Sequence, residues 1–411
     1  MKKNNLYDIV IIGGGAAGSG VAASILKRDK SLNIAIIEPA DKHYYQPAWT
    51  LVGAGEFDIG KTERSMASCL PPGVTWIRDE VTTFEPDAPS VKTKGGLSVT
   101  YQQLIVAAGL KIDWDAIPGL NETLGKNGVT SNYRFDLAPY TWQLVKSLKS
   151  GKAIFTQPPM PIKCAGAPQK ALYLSCSHWE NTGVLRKIDV DFNNAGAVLF
   201  GVAAYVPPLM KYIERYQAKL SFNSSLIEVD GPGKKAWFNV KDADGNITKV
   251  EKSFDLLHVV PPQCAPDFVK QSPLADAAGW VEVNQTTLQH TRYANIFSLG
   301  DVCSSPNAKT AAAIRKQVIV VAENLIALRN GKAMPTDYDG YGSCPLTVEK
   351  GKIILAEFGF GGKLLPTFPL DSLVPRKTNW ILKKYILPWV YWNALLKGHE
   401  WLARPTKPKD H

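Results

Sequence analysis

The amino-acid sequence predicts an α/β protein with two similar domains, each built on a parallel sheet, followed by amphipathic C-terminal helices. Three stretches carry this prediction: a strand–turn–helix with a glycine triplet near the N-terminus, a second α/β region after residue 110, and a basic, tryptophan-rich C-terminal segment. The chain has 411 residues, of which 45% are apolar and 20% are charged, as is typical of a globular protein. We expect more than one domain in a chain of this length.

The N-terminal stretch YDIVIIGGGAAGSGVAASIL has the pattern of a buried strand, a tight turn and a helix, and the strand NIAIIEP follows it. Gly13, Gly15 and Gly18 form a G-x-G-x-x-G pattern, which permits the turn, a close approach of a pyrophosphate and tight helix packing. Glu38, at the end of the second strand, is placed to accept hydrogen bonds from ribose hydroxyls. The pattern predicts a Rossmann-like dinucleotide site; an empty unit of the same fold is the alternative.

Two later segments indicate which dinucleotide binds. YQQLIVAAGL is an apolar strand ending in Ala108 and Gly109, and YANIFSLGDVCSSPNAKTAAAIRKQ contains a strand, a Gly-Asp pair and a helix. They resemble paired motifs of the two-dinucleotide-binding flavoprotein superfamily, in which the aspartate, here Asp301, holds the ribityl chain of FAD. The alternative is that Asp301 only caps the following helix. The resemblance adds further expected cofactor-binding residues, namely Ala108, Gly109, Gly300, Lys309 and Thr310.

These motifs predict a discontinuous FAD-binding domain. Its parts are residues 1–110 and 265–340, and a second Rossmann-like domain, residues 111–264, lies between them and carries Cys164. Residues 341–411 form a C-terminal region with Cys344 and the amphipathic helices. In the second domain we expect strands near GKAIFTQ, KIDVDFNN and GAVLFG, and a hairpin in KAWFNVKDADGNITKV, where Asp-Gly-Asn supplies the turn.

The second domain lacks the sequence of a second phosphate-binding loop. Its first strand is followed by TQPPMPIKCAGAP, in which four prolines replace the expected glycines. Proline has no amide hydrogen to offer a phosphate, and it stiffens the loop into extended shapes. A pyridine nucleotide is therefore disfavoured as the electron donor.

Cys164 lies in this proline-rich loop, and Cys344 lies 180 residues later in YDGYGSCPL. Two loop cysteines near a flavin could form a disulfide that sulfide or a small thiol opens, and a neighbouring Lys163 or Lys170 would favour the thiolate. The other four cysteines do not suggest a disulfide framework. Of these, Cys69, Cys176 and Cys264 are expected to be inert, whereas Cys303, two residues after Asp301, remains an alternative member of the pair.

At these residues the sequence resembles the sulfide:quinone oxidoreductase family, in the two-cysteine branch shared by mitochondria and many bacteria. The matching motifs run nearly end to end and include VIIGGGAAG, YYQPAWTLVGAG, PIKCAGAPQKALYL, LHVVPPQ, SPLADAAGWVEV, LQHTRYANIFSLGD, KTAAAIRKQ, YDGYGSCPL and PWVYWN. The resemblance implies an FAD-dependent enzyme that oxidises hydrogen sulfide to sulfane sulfur, reduces a membrane quinone and gives the sulfur to a small-molecule acceptor. No metal site is expected, and a homo-oligomer is compatible with this interpretation.

The resemblance also implies roles for individual residues. Sulfide would attack Cys344 and leave a persulfide there, while Cys164 would face the flavin. Lys170 and Lys383 match lysines near the sulfur site. Glu38, Gln46, Val81 and Asp301 match positions that line FAD. Other branches have a third cysteine in the region that corresponds to about 110–130, where this chain has none.

The segment RKTNWILKKYILPWVYWNALLKGHEWL, residues 376–402, combines apolar residues at largely helical spacing with lysines. From Arg376 to His411 eight Lys/Arg and two Asp/Glu leave a net charge of +6. We expect Pro388 to break the segment into two short helices that lie in one membrane leaflet. A terminal helix packed on its own core, or at an oligomer interface, is the alternative. Binding of nucleic acid is disfavoured because no binding module accompanies the charge.

The N-terminus is not expected to be a signal peptide, because Asp8 interrupts the apolar run and glycines follow it. We therefore expect a peripheral, monotopic membrane protein on the cytoplasmic side of the inner or plasma membrane. The competing interpretations are a type II NADH:quinone dehydrogenase, a flavocytochrome c sulfide dehydrogenase, and a catalytically silent FAD-containing sulfur carrier. The proline-filled loop and the cysteine pair speak against the first, and the absence of C-x-x-C-H against the second.

Overall fold

The computed structural model of the chain describes residues 6–403, so that the last eight residues of the basic C-terminal segment lie outside the described residues. The strands, in chain order, are β1 (Leu6–Ile12), β2 (Ile34–Ile37), β3 (Lys42–Tyr44), β4 (Glu63–Ser65), β5 (Thr75–Ile77), β6 (Val81–Glu85), β7 (Ser90–Thr93), β8 (Ser98–Val106), β9 (Lys111–Ile112), β10 (Val129–Thr130), β11 (Gly151–Gln157), β12 (Ile188–Asn194), β13 (Lys219–Ser221), β14 (Ser224–Asp230), β15 (Lys235–Lys241), β16 (Ile247–Ser253), β17 (Leu256–His258), β18 (Gln263–Cys264), β19 (Ile296–Ser298), β20 (Gly342–Glu349) and β21 (Lys352–Phe358). The α-helices are α1 (Ala16–Arg28), α2 (Trp49–Val52), α3 (Met66–Cys69), α4 (Leu120–Thr123), α5 (Ala138–Ser147), α6 (Ala167–Asn181), α7 (Val206–Tyr216), α8 (Asp267–Lys270), α9 (Ala311–Arg329), α10 (Lys377–Ile381) and α11 (Leu387–Asn393).

The first sheet has the strand order β5-β2-β1-β8-β7-β6, and β19 joins it by pairing with β8. β1, β2, β5, β8 and β19 run parallel, and the strands IVII and IAII in its centre are almost completely buried. Such continuous apolar strands are expected where helices cover both faces of a parallel sheet. β19 comes from far along the chain, so the first sheet is assembled from two separate parts of the sequence.

The second sheet has the order β10-β17-β11-β12-β13 with all neighbours parallel, and the antiparallel strands β14, β15 and β16 form a separate sheet beside it. The two-domain α/β fold expected from the sequence is confirmed. The strand predicted at GAVLFG is wrong. The Asn194 side chain accepts a hydrogen bond from the Gly196 amide and donates one to the Val198 carbonyl, which ends β12 in a turn.

The C-terminal region begins with the antiparallel hairpin of β20 and β21 and continues into helix. The expected break at Pro388 is wrong, because α10 and α11 are joined by a π-helical turn at Leu382–Ile386 with helical backbone angles throughout. A π-turn shifts the hydrogen-bond register by one residue, so it accommodates a proline that lacks an amide hydrogen. Pro388 lies in the first turn of α11, where no intrahelical donor is needed.

One face of this C-terminal helix packs on the first domain, through Tyr391, Trp392, Leu395 and Leu396 in the same core as the first sheet. Its other face is exposed and carries Ile381, Tyr385, Ile386 and Trp389. The helix therefore both packs on its own core and presents an apolar surface. Within residues 6–403, no helix combines the length and the apolar character that crossing a membrane requires.

Candidate active site

A cavity of about 570 Å³ lies where the glycine turn after β1, the end of β8, the loop before α9, the loop after β11, the β20–β21 hairpin and the C-terminal helix meet. It brings together most of the residues predicted from the sequence. The predicted residues that line it are Gly13, Gly15, Glu38, Gln46, Ala108, Gly109, Cys164, Lys170, Asp301, Lys309, Thr310 and Lys383.

The glycine turn leaves its first helical amides open to this cavity. Gly13 has φ +101°, and a side chain there would lie 2.5 Å from the Ala107 carbonyl oxygen. Gly18 packs against the Gly13 carbonyl and is not at the cavity, while the space around Gly15 is free of other atoms within 4 Å. Glu38 accepts hydrogen bonds from the Gly14 and Ala40 amides, both at 2.8 Å, which holds its carboxylate at the cavity wall.

Asp301 also lines the cavity and comes directly after Gly300, which has φ +78° and donates its amide to Gln317 Oε1. Burial raises the pKa of Asp301, and the ammonium groups of Lys309 and Lys163 oppose that rise. Lys309 donates to the Asp301 and Cys303 carbonyls at 2.6 and 3.1 Å and so fixes the loop. The helix cap that was the alternative role for Asp301 belongs to Thr310, whose hydroxyl accepts from the Ala313 amide.

These features fit FAD. An open helix N-terminus suits a pyrophosphate, and the two carboxylates that line the cavity suit the ribose and ribityl hydroxyls. The Asn132 amide and the Thr50 hydroxyl, 5% and 8% exposed, also line the cavity, and neither side chain has a hydrogen-bond partner among the described residues. Buried polar groups are normally paired, so these two indicate a ligand that completes them. Neither was predicted from the sequence, because a single Asn or Thr after an apolar run carries no recognisable pattern.

Three predicted cofactor residues do not line the cavity. Gly18 and Gly300 lie behind the residues that line the cavity. Gly18 allows close packing against the Gly13 carbonyl, and Gly300 allows a left-handed turn. Val81 is buried in β6 within the core of the first domain.

The sulfur atoms of Cys164 and Cys344 lie 3.4 Å apart, although 180 residues separate them in the chain. Cys164 is half-buried on the loop between β11 and α6, and Cys344 is fully buried in β20. The distance exceeds the ~2.05 Å of a disulfide, so the two are thiols in contact. The remaining alternative, Cys303, donates to the Gly300 carbonyl in the protein core, and burial raises the pKa of its thiol.

Lysines make the surroundings of Cys164 electropositive. Lys170 Nζ is 3.2 Å from Cys164 Sγ, and both Lys170 and Lys383 are buried. The hydrogen bond from the Cys344 thiol, then the charges of Lys170 and Lys383, lower the pKa of Cys164 well below its usual value against the effect of burial. The same contact and burial raise the pKa of Cys344. Burial and the charge of Lys170 lower the pKa of Lys383 to about 7.

Lys163 points to the side of the cavity where Gln46 lies. Its Nζ donates to Gln46 Oε1 at 2.6 Å, and burial lowers its pKa to about 8. Gln46 is thereby held at the cavity wall. The sequence alone did not predict this contact, because the two residues are 117 positions apart.

The second sheet does not offer the phosphate loop of a pyridine-nucleotide site. β11 ends at Gln157 and is followed by prolines up to Ile162, and α6 begins only at Ala167. At the end of β12, where a ribose-binding acid is expected in such a site, Asn194 closes its own turn.

The sequence is similar to that of a known protein over nearly its whole length. The family model "Pyridine nucleotide-disulphide oxidoreductase" matches residues 7–146. The mitochondrial sulfide:quinone oxidoreductase of Dictyostelium discoideum is 43% identical over 408 residues, which cover 98% of this chain and 89% of that protein.

Two solved structures cover nearly the whole chain. One is a chain in the cryo-EM structure of the Tetrahymena thermophila mitochondrial ATP synthase (TM-score 0.86, 19% identity, 98% of both chains). The other is the sulfide:quinone oxidoreductase of Aquifex aeolicus (TM-score 0.78, 20% identity, 98% of this chain and 97% of that chain). At these identities the two structures show a shared fold only.

Proposed function

Because this chain belongs to the sulfide:quinone oxidoreductase family, we propose that it oxidises hydrogen sulfide at the Cys164–Cys344 pair and reduces a membrane quinone. The observation that carries the assignment of the pair is the 3.4 Å contact between the two sulfur atoms, of which that of Cys164 belongs to a residue lining the cavity. The chain is an FAD-dependent oxidoreductase, and FAD supplies a two-electron acceptor for the sulfur chemistry and a two-electron donor for the quinone. Gly15, Glu38, Asp301 and Asn132 are the residues that would hold it.

In the oxidised enzyme the two sulfur atoms form a disulfide. Hydrosulfide attacks Cys344 Sγ, the bond between the two cysteines breaks, and its electron pair leaves on Cys164 as a thiolate. Cys344 is the favoured point of attack because the leaving thiolate, Cys164, has the lower pKa and receives a hydrogen bond from Lys170. Lys383, with a pKa of about 7, takes up the proton that hydrosulfide loses.

The step leaves a persulfide on Cys344. A nucleophilic small-molecule acceptor then removes the outer sulfur atom and leaves a thiolate there. The two thiolates then form the disulfide again and release two electrons. This number matches the two electrons that sulfide loses when it becomes sulfane sulfur. The quinone takes up these two electrons together with two protons.

The exposed apolar residues of the C-terminal region support a peripheral attachment to the membrane. They include Phe368, Ile386, Trp389, Trp401 and Leu402, which are 39–76% exposed. Four of them, Phe368, Ile386, Trp401 and Leu402, also line the cavity, so an apolar quinone has a direct path from the bilayer. Lysines in the same helix, such as Lys377 and Lys384, suit an anionic surface.

Anaerobic stopped-flow absorbance tests the proposal. Sulfide should bleach the visible flavin band of the holoenzyme, a short-chain quinone should restore it, and NADH should do neither. Cys344→Ser should keep its flavin and lose the sulfide step by about a hundredfold or more, because the residue attacked is missing. The matched control is Cys264→Ser, a half-buried cysteine that does not line the cavity. Rapid bleaching by NADH, or wild-type turnover of Cys344→Ser, would contradict the proposal.

A further inference from the structure

The β20–β21 hairpin has two chemically different faces. Cys344 in β20 and its neighbour Ala356 in β21 belong to the core of the second domain. The alternate residues Ser343 and Glu357, which are paired across the strands, line the cavity together with Pro345 and Leu355. Successive side chains of a strand point to opposite faces, so the hairpin has a core side, which carries Cys344, and a cavity side.

Glu357 is a buried carboxylate on the cavity side, only 3% exposed. The Tyr341 hydroxyl donates to its Oε1 at 2.5 Å, the Thr367 hydroxyl donates to the same oxygen at 2.5 Å, and the Thr367 amide donates to Oε2 at 3.0 Å. Tyr341, Glu357 and Thr367 all line the cavity, and Thr367 is exposed to solvent. A chain of hydrogen-bonded groups thus leads from the surface to the phenol.

The charged groups around Tyr341 belong to α9 and to the loop before β20. The Lys316 ammonium lies 4.5 Å from the centre of the Tyr341 ring and 3.2 Å from Asp339 Oδ2. The Arg315 guanidinium donates to the Trp401 carbonyl, and it also lines the cavity. Burial, then Glu357, raises the pKa of Tyr341, so its phenol keeps its proton at neutral pH.

The same cavity also has apolar lining residues. Leu382, Ile386 and Val390 of the C-terminal helix line it, and Phe368 follows Thr367 directly in the chain. A quinone ring that enters between these side chains enters the cavity that Tyr341, Ser343 and Glu357 also line. The two carbonyl oxygens of a quinone each need a proton when the ring is reduced, and a tyrosine hydroxyl is a suitable donor.

We infer that Tyr341 donates a proton to the quinone as it is reduced, and that Glu357, supplied from solvent through Thr367, returns the proton to Tyr341. This inference rests on the proposed function, which provides the quinone. The quinone takes two electrons, which come from sulfide, and two protons, and it leaves as quinol. In each transfer the phenol O–H bond breaks as a quinol O–H bond forms. Solvent then gives a proton through the Thr367 hydroxyl to the Glu357 carboxylate, which passes it to the phenolate and becomes a carboxylate again. Tyr341 is thus a catalytic residue and Glu357 a positioning and proton-supplying residue.

The test isolates the quinone step by reducing the holoenzyme with dithionite instead of sulfide. Tyr341→Phe should slow reoxidation by a short-chain quinone by about a hundredfold, the usual size of a general-acid contribution. Reoxidation by ferricyanide, which accepts electrons without protons, should stay within about twofold of wild type. The wild-type quinone step should show a solvent deuterium isotope effect that the ferricyanide step lacks.

Further variants separate proton delivery from structural damage. Glu357→Gln keeps the shape of the side chain and should slow only the quinone step. Tyr140→Phe removes a tyrosine hydroxyl that contacts the Gly128 amide away from the cavity, and it should leave both steps unchanged. Quinone binding, followed by quenching of tryptophan fluorescence, should persist in Tyr341→Phe.

Three outcomes would overturn the inference: quinone reoxidation of Tyr341→Phe at the wild-type rate, equal slowing with quinone and ferricyanide, or a wild-type enzyme that quinone does not reoxidise. A wild-type enzyme that dithionite and quinone cycle normally but that sulfide does not bleach would count against the sulfide half of the proposed function alone. The two ideas therefore fail separately.

Discussion

Cys164 is held in a backbone conformation that is unusual for any residue except glycine, with φ +82°. Such a conformation costs on the order of 1–3 kcal/mol and persists only where the surroundings enforce it. Here the Cys164 carbonyl accepts the Ala167 amide at 2.6 Å as α6 begins, and Lys170 on the first turns of that helix reaches back to the sulfur. The loop thus places the Cys164 thiol in contact with Cys344 and beside the Lys170 ammonium.

We predict that Lys170→Met raises the pKa of Cys164, because it removes a hydrogen-bond donor and a positive charge from the thiolate. A thiol reacts with alkylating reagents as its thiolate, which exists above its pKa. In the reduced enzyme the alkylation rate of Cys164 should therefore fall at low pH, and its pH profile should move to higher pH. Mass spectrometry of the modified peptide identifies the residue that reacted.

Lys170→Arg, which retains the charge, should shift that profile much less than Lys170→Met. Lys149→Met is the control on the surface, because Lys149 is exposed and donates to the Lys146 carbonyl. An unchanged profile in Lys170→Met would show that the lysine does not stabilise the thiolate.

The individual residues of the site differ in how far the sequence could predict them. Gly13, Gly15 and Glu38 follow from a pattern within one βαβ unit, where local spacing determines position. The contact between Cys164 and Cys344 depends on how two distant segments pack, so from spacing it was only a hypothesis. Tyr341 and Glu357 were missed, although the alternation of side chains around Cys344 in β20 and β21 is a signal that indicates a second face.

At the scale of elements, the C-terminal helix joins two roles that the sequence presented as alternatives. Its inner face contributes Tyr391 and Trp392 to the core, and its outer face exposes Ile386 and Trp389. Deleting residues 376–411 would therefore damage the core as well as the exposed face. Truncating a buried aromatic such as Trp392 to alanine alone costs about 3–5 kcal/mol.

Substitutions on the outer face give a cleaner test of membrane attachment. Replacing Tyr385 and Trp389 together by glutamate should weaken cosedimentation with anionic phospholipid vesicles by about tenfold or more, since burying one large apolar side chain contributes about 1.5–3 kcal/mol; both side chains are exposed and neither lines the cavity. Sulfide should still bleach the flavin at the wild-type rate. Ile247→Glu, an exposed position on β16, is the control. Unchanged cosedimentation of the double variant would argue that another surface binds the membrane.

Two elements were predicted wrongly, for physical reasons that local sequence patterns do not reveal. Pro388 usually ends a helix, but the preceding π-turn removes the need for its amide hydrogen. GAVLFG has the apolar content of a strand, yet Asn194 closes a turn before it and Leu199 and Phe200 reach the core from a loop. In both places a tertiary or backbone feature overrides residue preference.

At the scale of the whole molecule, the cysteine pair connects the second domain to the C-terminal hairpin. A disulfide between Cys164 and Cys344 closes a segment of 180 residues. Closing a long loop restricts the unfolded chain, which typically stabilises a protein by about 2–4 kcal/mol.

We therefore expect the oxidised enzyme to unfold at a temperature a few degrees above that of the reduced enzyme, in scans at one heating rate and with FAD bound in both. Cys344→Ser should unfold at the same temperature with and without reductant. The same difference between the two conditions in Cys344→Ser as in wild type would mean that another group is responsible.

Side chains along β20 alternate between two faces, and this limits which insertions and deletions the sequence can accept here during evolution. Ser343 and Cys344 are neighbours in sequence but serve opposite compartments, so inserting or deleting one residue before them would exchange their surroundings. The Cys344 thiol would then face the cavity, and the Ser343 hydroxyl would enter the apolar core. Lineages that share this architecture should accordingly tolerate replacements along the strand far better than changes in its length.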